Sequence, residues 1–531
     1  MIGDRVAAVV DGIAGNARAL CLMGRSGVLG PVRPDRVARM AVGALRFGMT
    51  LTAGYVAAAA RHPGRTAIVD DHGRLTYAEV ADRSLRLARG LTARGLAPGG
   101  RLGVLCRNHR WAIEAQIAAG AAGADVVLLN TGLSVAQLRE VAEEQDLRIL
   151  VADPEFDLPS GPVAIRTGDG IEALIAAPGD APLPLRPGAT HTIVLTSGTS
   201  GPPKGARRPS PGSLAPVGAI LSMIPLQARR PVLVAAPLLH AWGLAALQLS
   251  LLHGATVVLS ARFDPARMLA LAEREQVDAV FAVPVMLQRI MELPAAQLDG
   301  AWRAHAPRIV AVSGSALPTG LATAFMDRFG DVLYNLYGST EVSWVSIATP
   351  EDLRACPGTA GRAPAGTRLA VLGEDGREVP TGTDGRIFVG NDMPFEGYTR
   401  EGSDVERHAG LLGTGDVGHL DADGRLHLTG RADDMIVSGG ENVHPGPVEE
   451  LIAALPGIRE VAVVGVPDER YGQRLAAYVV PEPGHEVDAD GIRGRVRDEL
   501  GRFAVPRDVV VLDALPRNTT GKIVKRELPA S

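Results

Sequence analysis

Lysine is nearly missing from this chain of 531 residues, which has 54 basic residues but lysine only at positions 204, 522 and 525. Arginine therefore supplies positive charge wherever any cation will do. A lysine that remains is a candidate for work that a planar guanidinium cannot do, because an ammonium is a compact charge that fits a narrow polar site. We expect a special role for Lys204 and Lys522 and chance retention for Lys525.

Other scarce features exclude several classes of protein. Three widely separated cysteines predict neither a disulfide framework nor a metal site, and they fit a reducing, cytoplasmic compartment. Aromatic residues make up only 4%, so aliphatic side chains must build the core. No stretch reaches the ~18 uninterrupted apolar residues of a membrane span. The net charge of −5 gives no reason to expect a nucleic-acid partner.

The first segment differs in charge from the rest of the chain. Residues 1–51 predict a helical extension, and the first 50 residues contain seven arginines against three aspartates. Basic, weakly apolar helices can lie on an anionic membrane surface, so a peripheral membrane contact is one hypothesis for this segment. The alternative is that these helices pack on the main body of the protein.

Apolar strands without two-residue alternation, separated by helices, predict an α/β fold with parallel-rich sheets. Two capping boxes, Thr76 with Glu79 and Ser134 with Gln137, mark helix starts. We predict a large domain over residues 52–430, with a small β-rich subdomain at about 360–430, and a small α+β domain over 431–531.

A loop rich in glycine and hydroxyl groups follows the apolar strand predicted at residues 192–195. It reads Thr196-Ser197-Gly198-Thr199-Ser200-Gly201-Pro202-Pro203-Lys204-Gly205. Glycines let backbone N–H groups approach an anion, the hydroxyl groups add donors, and Lys204 adds positive charge. The P-loop pattern cannot be fitted here, and a flexible linker rarely follows a buried strand. The loop therefore predicts a phosphate site of another kind.

With this loop the chain resembles the adenylate-forming enzymes, the superfamily of acyl- and aryl-CoA synthetases, luciferases and peptide-synthetase adenylation domains. The resemblance covers about residues 60–525. It implies ATP, Mg²⁺ and coenzyme A as cofactors and a C-terminal domain that rotates. It implies nucleotide contacts for Thr196, Ser197, Gly198, Thr199, Ser200, Gly201, Lys204, Gly314, Ser315, Ala316, Asn335, Tyr337, Gly338, Ser339, Thr340, Asp416, Arg431 and Lys522.

The resemblance also suggests individual roles. Thr199 and Lys204 belong to the catalytic set, and the Glu341 carboxylate beside a glycine turn suits Mg²⁺. Asp416, in Thr-Gly-Asp, matches the acceptor of the ribose hydroxyls, and Asp433 matches the hinge of the rotating domain. Lys522 matches the near-terminal lysine that meets both the carboxylate and the nucleotide. The acyl and CoA side is implied at His240, Trp242, Gly243, Trp344, Gly439 and Gly440.

These motifs predict an acid–thiol ligase. A carboxylate attacks the α-phosphorus of ATP, pyrophosphate leaves, and the CoA thiolate then attacks the acyl adenylate. The segment after His240, residues 242–249, carries no charge, so we expect an uncharged acyl tail from a medium- or long-chain fatty acid. An aryl or branched acid is the next choice. The alternatives are transfer to a carrier protein, luciferase-type oxidation, and nucleotide binding without catalysis; the oligomeric state stays open.

Overall fold

The computed structural model describes residues 2–188, 190–196, 204–208, 213–393, 395–399, 405–438, 441–468, 472–518 and 521–529. It describes the backbone alone at residues 2–13, 196, 204, 437–438, 441–442 and 472. Several residues of the predicted phosphate and CoA loops therefore lie outside the described residues, namely Ser197, Gly198, Thr199, Ser200, Gly201, Gly439 and Gly440. The side chains of Thr196 and Lys204 lie outside them too.

Three helices open the chain: α1 (Ile2–Arg25), α2 (Pro34–Phe47) and α3 (Leu51–Arg61). Helix α2 packs on α3 and buries Gly43 and Phe47. Helix α3 begins after Thr50, whose hydroxyl accepts the N–H of Ala53 at 3.2 Å and so satisfies one of the unpaired donors of the first turn. Among the described residues, no helix has the length and apolar character needed to cross a bilayer.

The next segment of the chain forms the first parallel-rich sheet and also supplies two strands to the second sheet. Its elements are β1 (Thr66–Asp70), β2 (Gly73–Thr76), α4 (Tyr77–Thr92), β3 (Arg101–Leu105), α5 (Arg110–Ala122), β4 (Asp125–Leu128), α6 (Val135–Glu144), β5 (Ile149–Ala152), β6 (Val163–Arg166), α7 (Asp169–Ala176), β7 (Thr192–Thr196) and β8 (Lys204–Arg208). The strand order is β6-β5-β3-β4-β7-β8, parallel except at β8. Both predicted capping boxes are present, at the starts of α4 and α6.

A second sheet follows and takes in β1 and β2. Its further elements are α8 (Ala215–Leu221), β9 (Val232–Val234), α9 (Ala241–Leu252), β10 (Val257–Val258), α10 (Pro265–Arg274), β11 (Ala279–Ala282), α11 (Pro284–Met291), α12 (Ala295–Gly300), β12 (Ile309–Val312), α13 (Thr319–Phe329), β13 (Leu333–Tyr337), β14 (Ser346–Ala348) and α14 (Pro350–Ala355). The order is β14-β13-β12-β11-β9-β10-β1-β2, with antiparallel strands only at the two edges. The predicted α/β fold with parallel-rich sheets is confirmed.

An antiparallel subdomain comes next, as the sequence predicts. It contains β15 (Arg368–Leu372), β16 (Gly385–Gly390), β17 (Arg407–His408), β18 (Leu411–Leu420) and β19 (Leu426–Arg431). The last unit contains β20 (Ile436–Ser438), β21 (Glu441–Val443), α15 (Pro445–Ala453), β22 (Ile458–Asp468), β23 (Gly472–Pro481), α16 (Ala489–Leu500), β24 (Asp508–Val511) and a 3₁₀ turn, Lys525–Glu527. This α+β unit has a hydrophobic core of its own.

Helix α1 lies against α8 through very small side chains. A Cβ atom added at Gly218 of α8 would lie 2.9 Å from the Cβ atom of Ala19 on α1. The N–H of Leu214 donates to the Asn16 side chain at 3.0 Å beside this contact. The extension is therefore packed on the main body along α1 and along the inner side of α2, which is the second of the two arrangements considered from the sequence.

We predict that Gly218→Ala destabilises the protein by about 1–3 kcal/mol, because the added methyl group overpacks the contact between α1 and α8. Gly494→Ala is the matched control, since a Cβ at Gly494 in α16 meets nothing within 4 Å. That control should stabilise by about 0.4–1 kcal/mol. Thermal unfolding measures both, and a raised melting temperature for Gly218→Ala would contradict the described contact.

Candidate active site

A continuous cavity of about 1020 Å³ brings together residues predicted from distant parts of the sequence. The predicted residues among its lining are His240, Trp242, Gly243, Gly314, Gly338, Ser339, Thr340, Glu341, Trp344, Arg431 and Lys522. Six other predicted residues do not belong to the lining, namely Ser315, Ala316, Asn335, Tyr337, Asp416 and Asp433. Two of them, Tyr337 and Asp416, contact each other next to the cavity. Thr196 and Lys204 are backbone partners at the end of the β7–β8 pair, and Leu195 and Arg208 of these strands line the cavity.

Lys522 reaches the cavity through a close contact between the two domains. Gly521 has φ +79°, and a Cβ atom there would lie 2.2 Å from Val285 Cγ1 in α11 of the large domain. The Asn518 side chain accepts the N–H of Lys522 at 2.9 Å. Only glycine allows both this backbone conformation and this approach. Lys525 points elsewhere, because its ammonium lies 3.0 Å from the Glu449 carboxylate.

A second contact holds the same loop against the large domain. Arg517 donates to one carboxylate oxygen of Glu460 at 2.9 Å, and the other oxygen accepts from Gln288 of α11 at 3.2 Å. Glu460 thus connects the strand β22, the loop that carries Lys522 and the large domain. The described arrangement is one in which Lys522 and the nucleotide-side residues share a cavity.

Asp416, on β18 of the antiparallel subdomain, sits in a hydrogen-bonded group that reaches the first residues of the C-terminal domain. Its carboxylate accepts the hydroxyl of Tyr337, its N–H donates to Thr414 Oγ1 at 3.0 Å, and Arg431 Nη1 lies 3.4 Å from its second oxygen. Burial raises the pKa of Asp416, against the Tyr337 hydrogen bond and the charges of Arg431 and Lys522, which lower it. Asp433 accepts from Arg431 Nε at 2.8 Å, so the predicted hinge contacts the predicted ribose-side arginine.

Glu341 presents both carboxylate oxygens inside the cavity. One accepts the Ser339 hydroxyl at 2.8 Å and the other accepts the Tyr398 hydroxyl at 2.8 Å. A half-buried carboxylate held by two hydroxyl groups is a hard oxygen donor, and it fits Mg²⁺ coordination beside phosphates. Burial and the charge of Glu341 raise the pKa of Tyr398, so its phenol remains a donor.

Sequence reasoning missed Arg208 and Tyr398, which line the same cavity. Arg208 Nη2 donates to Ser343 Oγ at 3.1 Å. Burial lowers the pKa of Arg208 to about 10, while the Glu341 charge opposes that change. At neutral pH it is therefore still a cation within the cavity. The only signal in the sequence is its position at the end of the strand that leaves the phosphate loop, which by itself also fits a surface arginine.

His240 precedes the first turn of α9 and lines the cavity. Burial lowers its pKa to about 4, so the imidazole is neutral near pH 7. Gly243 is required in that turn, because a Cβ atom would lie 2.2 Å from Pro237 O. Trp242 donates its indole N–H to Ala282 O at 3.0 Å, which fixes the turn to strand β11. The geometry therefore supports a neutral hydrogen-bonding group where the acyl part of the cavity begins.

Comparison with known proteins agrees with this geometry. Residues 56–399 match the AMP-binding enzyme family, and residues 447–522 match the AMP-binding enzyme C-terminal domain. A feruloyl-CoA synthase of Amycolatopsis sp is 34% identical over 478 residues, with 88% of this chain and 96% of that protein covered. A long-chain-fatty-acid–CoA ligase of Mycobacterium tuberculosis is 31% identical over 481 residues, covering 86% and 92%.

A solved structure resembles the whole arrangement. ATP-bound MatB from Rhodopseudomonas palustris superposes with a TM-score of 0.80 at 27% identity, covering 90% of this chain and 98% of that one. The chain therefore belongs to the AMP-binding enzyme family of adenylate-forming proteins. Within that class it is an AMP-forming acid–CoA ligase that uses ATP, Mg²⁺ and coenzyme A.

We predict that Lys522→Arg lowers the rate of adenylation about a hundredfold or more, because a guanidinium cannot replace a compact ammonium at this position. Thiolation of a supplied acyl adenylate should continue, since that step does not need the residue. Pyrophosphate release and thioester formation measure the two steps separately. Lys525→Arg, whose side chain pairs with Glu449, is the control and should keep both. Wild-type adenylation by Lys522→Arg would contradict the role.

We predict a stability loss in acid that depends on His240. The unfolded histidine binds its proton near pH 6.5 and the folded one near pH 4, so the unfolded chain holds more protons between these values. Stability present above pH 6.5 is therefore lost as the pH falls towards 4, by up to about 3 kcal/mol. The melting temperature of the wild type should therefore fall more steeply through this window than that of His240→Gln, which lacks the titrating group. Melting temperatures that fall in parallel with pH would show that burial does not lower the pKa of His240.

Proposed function

We propose that the acid is a medium- or long-chain fatty acid. The observation that carries this proposal is the apolar continuation of the cavity beyond His240. One wall is the face of α9 formed by Ala245, Leu249 and Leu252. The facing wall includes Gly54 and Ala57 of α3. Such a surface favours an alkyl chain through the hydrophobic effect. In the described part of the chain, charged side chains border this continuation at its far end, where Arg61 and Arg229 lie.

The length of this continuation also supports a long acyl chain. Helix α9 contains 12 residues, so it spans roughly 18 Å at 1.5 Å per residue. The cavity follows it from His240 at the first turn to His253 and Gly254 at its end. An extended long-chain acid has that length, whereas a small acid would leave most of the apolar wall wet. Met23 of α1 and Met40 of α2 border the far part of the cavity.

In the proposed mechanism the chain's cations bring two anions together. Lys522 and Arg208 hold the substrate carboxylate against its repulsion from the ATP phosphates, and neutral His240 positions it by hydrogen bonding. Lys204 and the amides of its loop receive the departing pyrophosphate. Glu341 would hold Mg²⁺, which neutralises phosphate charge when it is bound. Asp416 and Arg431 position the ribose, and rotation about Asp433 withdraws Lys522 so that Gly439 and Gly440 can line the thiol path.

An aryl or branched acid is the second candidate. The feruloyl-CoA synthase of Amycolatopsis sp acts on an aryl acid according to its name and is 34% identical to this chain. A ring would occupy the part of the cavity beside Trp242 and Trp344, while the region along α3 would stay empty. Saturation by short aryl acids with no gain from alkyl length would favour this candidate.

The domain limits and the membrane contact stay part of the proposal. We assign residues 1–51 to the extension, 52–430 to the large domain and 431–531 to the rotating domain. The rotating unit is supported by its own core and by its polar contacts with α11. A peripheral membrane contact through residues 1–50 is supported by α2, whose outward side is apolar: Val42 is 63% exposed and Leu45 is 79% exposed.

The deciding experiment is a pyrophosphate-release screen with acids from acetate to arachidate, together with ferulate and indoleacetate, in detergent. We expect kcat/KM to rise with chain length until the alkyl chain fills the wall along α9. Thioester formation with coenzyme A should follow the same order. A maximum at acetate, or at the aryl acids, would overturn the fatty-acid assignment while leaving the ligase class intact.

Two substitutions should shorten the preferred acid to different extents. Ala245→Phe fills the part of the cavity near Trp242 and should leave only short acids active. Ala57→Phe fills the part on α3 and should reject only the longest, by about tenfold or more in kcat/KM, since one misplaced ring costs at least ~1–3 kcal/mol. Ala136→Phe, on the exposed surface of α6, is the control. Unchanged chain-length profiles in both variants would contradict the assignment of the cavity.

A further inference from the structure

A second cavity, of about 390 Å³, lies between the N-terminal helices and the end of α9. Its charged lining is entirely basic and consists of Arg33, Arg36, Arg61 and Arg229, with His62 beside them. The rest of its wall is the turn at residues 27–32. We call this cavity the arginine pocket. No part of the expected adenylation chemistry uses these residues.

The arginine pocket has little negative charge to balance it. Arg36 and Arg61 donate to backbone carbonyls, those of Arg61 and Val28, both at 2.7 Å. Within the described ranges, neither they nor Arg229 form an ion pair with a carboxylate, and Arg33 pairs only with Asp35, which Arg39 also contacts. Like charges that converge without a counter-charge repel each other, so this arrangement favours an external anion.

The positive electrostatic potential of the arginine pocket acts on the neighbouring His62. The pKa of His62 is lowered first by burial and then by the positive charges of Arg61, Arg65, Arg229 and Arg36. Arg229 is also held in the left-handed backbone region, with φ +61°, and its N–H donates to His253 O at 2.8 Å. The fold thus keeps this guanidinium at the end of α9 although the conformation is unfavourable for a non-glycine residue.

The surface next to the arginine pocket is apolar. On α2 the side turned away from α3 carries Ala38, Ala41, Val42 and Leu45, which lie close together on a helical wheel and contain no charge. Leu29 lines the arginine pocket, and Val37 follows Arg36 in α2. Each of these two apolar residues is 49% exposed. An exposed apolar face beside arginines is the pattern of a helix that lies in a membrane interface.

The arginine pocket also adjoins the acyl cavity. Gly27, Leu29, Arg61, His62 and Arg229 line both. Helix α2 therefore has Met40 and Ala44 on the acyl cavity and Val42 and Leu45 on the outside. An acid that leaves a bilayer at this place would have its alkyl chain next to the apolar wall.

We infer that the arginine pocket binds the phosphate of an anionic phospholipid while the outer face of α2 inserts among the acyl chains of the same leaflet. This inference deepens the proposed function, because it rests on a fatty-acid substrate and places the bilayer that supplies it at the far end of the acyl cavity. Phosphate and arginine form strong charge-assisted hydrogen bonds, and the apolar face supplies the remaining affinity.

The test uses the full-length protein with two kinds of vesicle, phosphatidylcholine alone and equal parts of phosphatidylcholine and phosphatidylglycerol. We expect binding in co-sedimentation only to the anionic vesicles. The double variant Arg33→Gln/Arg229→Gln should bind about fivefold more weakly for each arginine removed. Arg148→Gln/Arg377→Gln removes the same charge from positions 72% and 88% exposed elsewhere, and it should bind like the wild type.

The apolar part is tested separately. Leu45→Gln should weaken binding to anionic vesicles, and Val511→Gln, an exposed apolar position on β24, should not. If the Arg148→Gln/Arg377→Gln control lost as much vesicle affinity, net charge alone would explain the effect, and the proposed lipid site in the arginine pocket would be refuted. Unchanged vesicle binding in Arg33→Gln/Arg229→Gln, with a raised KM for hexadecanedioate but not for hexadecanoate, would also overturn it, because the arginines would then recognise the distal carboxylate of a substrate.

Ligase activity in detergent separates the two proposals. Leu45→Gln changes no residue of the acyl cavity, so this variant should turn over hexadecanoate in detergent like the wild type. A protein that binds anionic vesicles through these residues but does not activate alkyl acids would refute the fatty-acid substrate and keep the lipid site. A protein that activates hexadecanoate but shows no preference for anionic vesicles would refute the lipid site alone.

Discussion

The contact between Gly521 and Val285 is the constraint on which the active site depends. A glycine with a positive φ angle brings the backbone of the last domain within a few ångströms of α11, and Lys522 enters the cavity as a consequence. Most of the residues predicted to contact the nucleotide belong to the large domain, whereas Lys522 comes from the last one. A side chain more than three hundred positions from Lys204 thereby becomes part of the same site. The domain rotation that we propose would have to break this contact, which depends on one small residue.

The cavity combines cations of different kinds at its polar end. Lys522 is on the C-terminal domain and is exposed, whereas Arg208 is on a strand of the large domain and hydrogen-bonded to Ser343. Glu341 accepts hydrogen bonds from the hydroxyl groups of Ser339 and Tyr398 and, within the described residues, forms no direct ion pair with Arg208. This separation keeps positive charge available for substrate anions and a carboxylate available for a divalent ion. Low polarity along α9 then isolates that chemistry from water.

Short-range signals predicted helix starts correctly. The capping boxes at Thr76 and Ser134 form because each needs only residues within one helical turn. The phosphate loop and the Lys522 motif indicated the family for the same reason, since their residue order is local, and the roles of their residues stay predictions. Arg208 and Tyr398 were missed, since each gains its meaning from a partner far away in the chain. The arginine pocket was missed for the same reason. In the sequence, Arg36, Arg61 and Arg229 look like ordinary surface arginines, and only the fold brings them together, where the ends of α2, α3 and α9 meet.

Helix α2 has consequences for how the enzyme could respond to its surroundings. Met40 borders the acyl cavity and Leu45 faces outwards. Both belong to the same helix of 14 residues, so they move together. A tilt imposed from outside must therefore change the volume available to the substrate, and a bulky substrate must push back on the outer surface. Occupancy and adsorption are then thermodynamically linked, so each strengthens or weakens the other by the same factor.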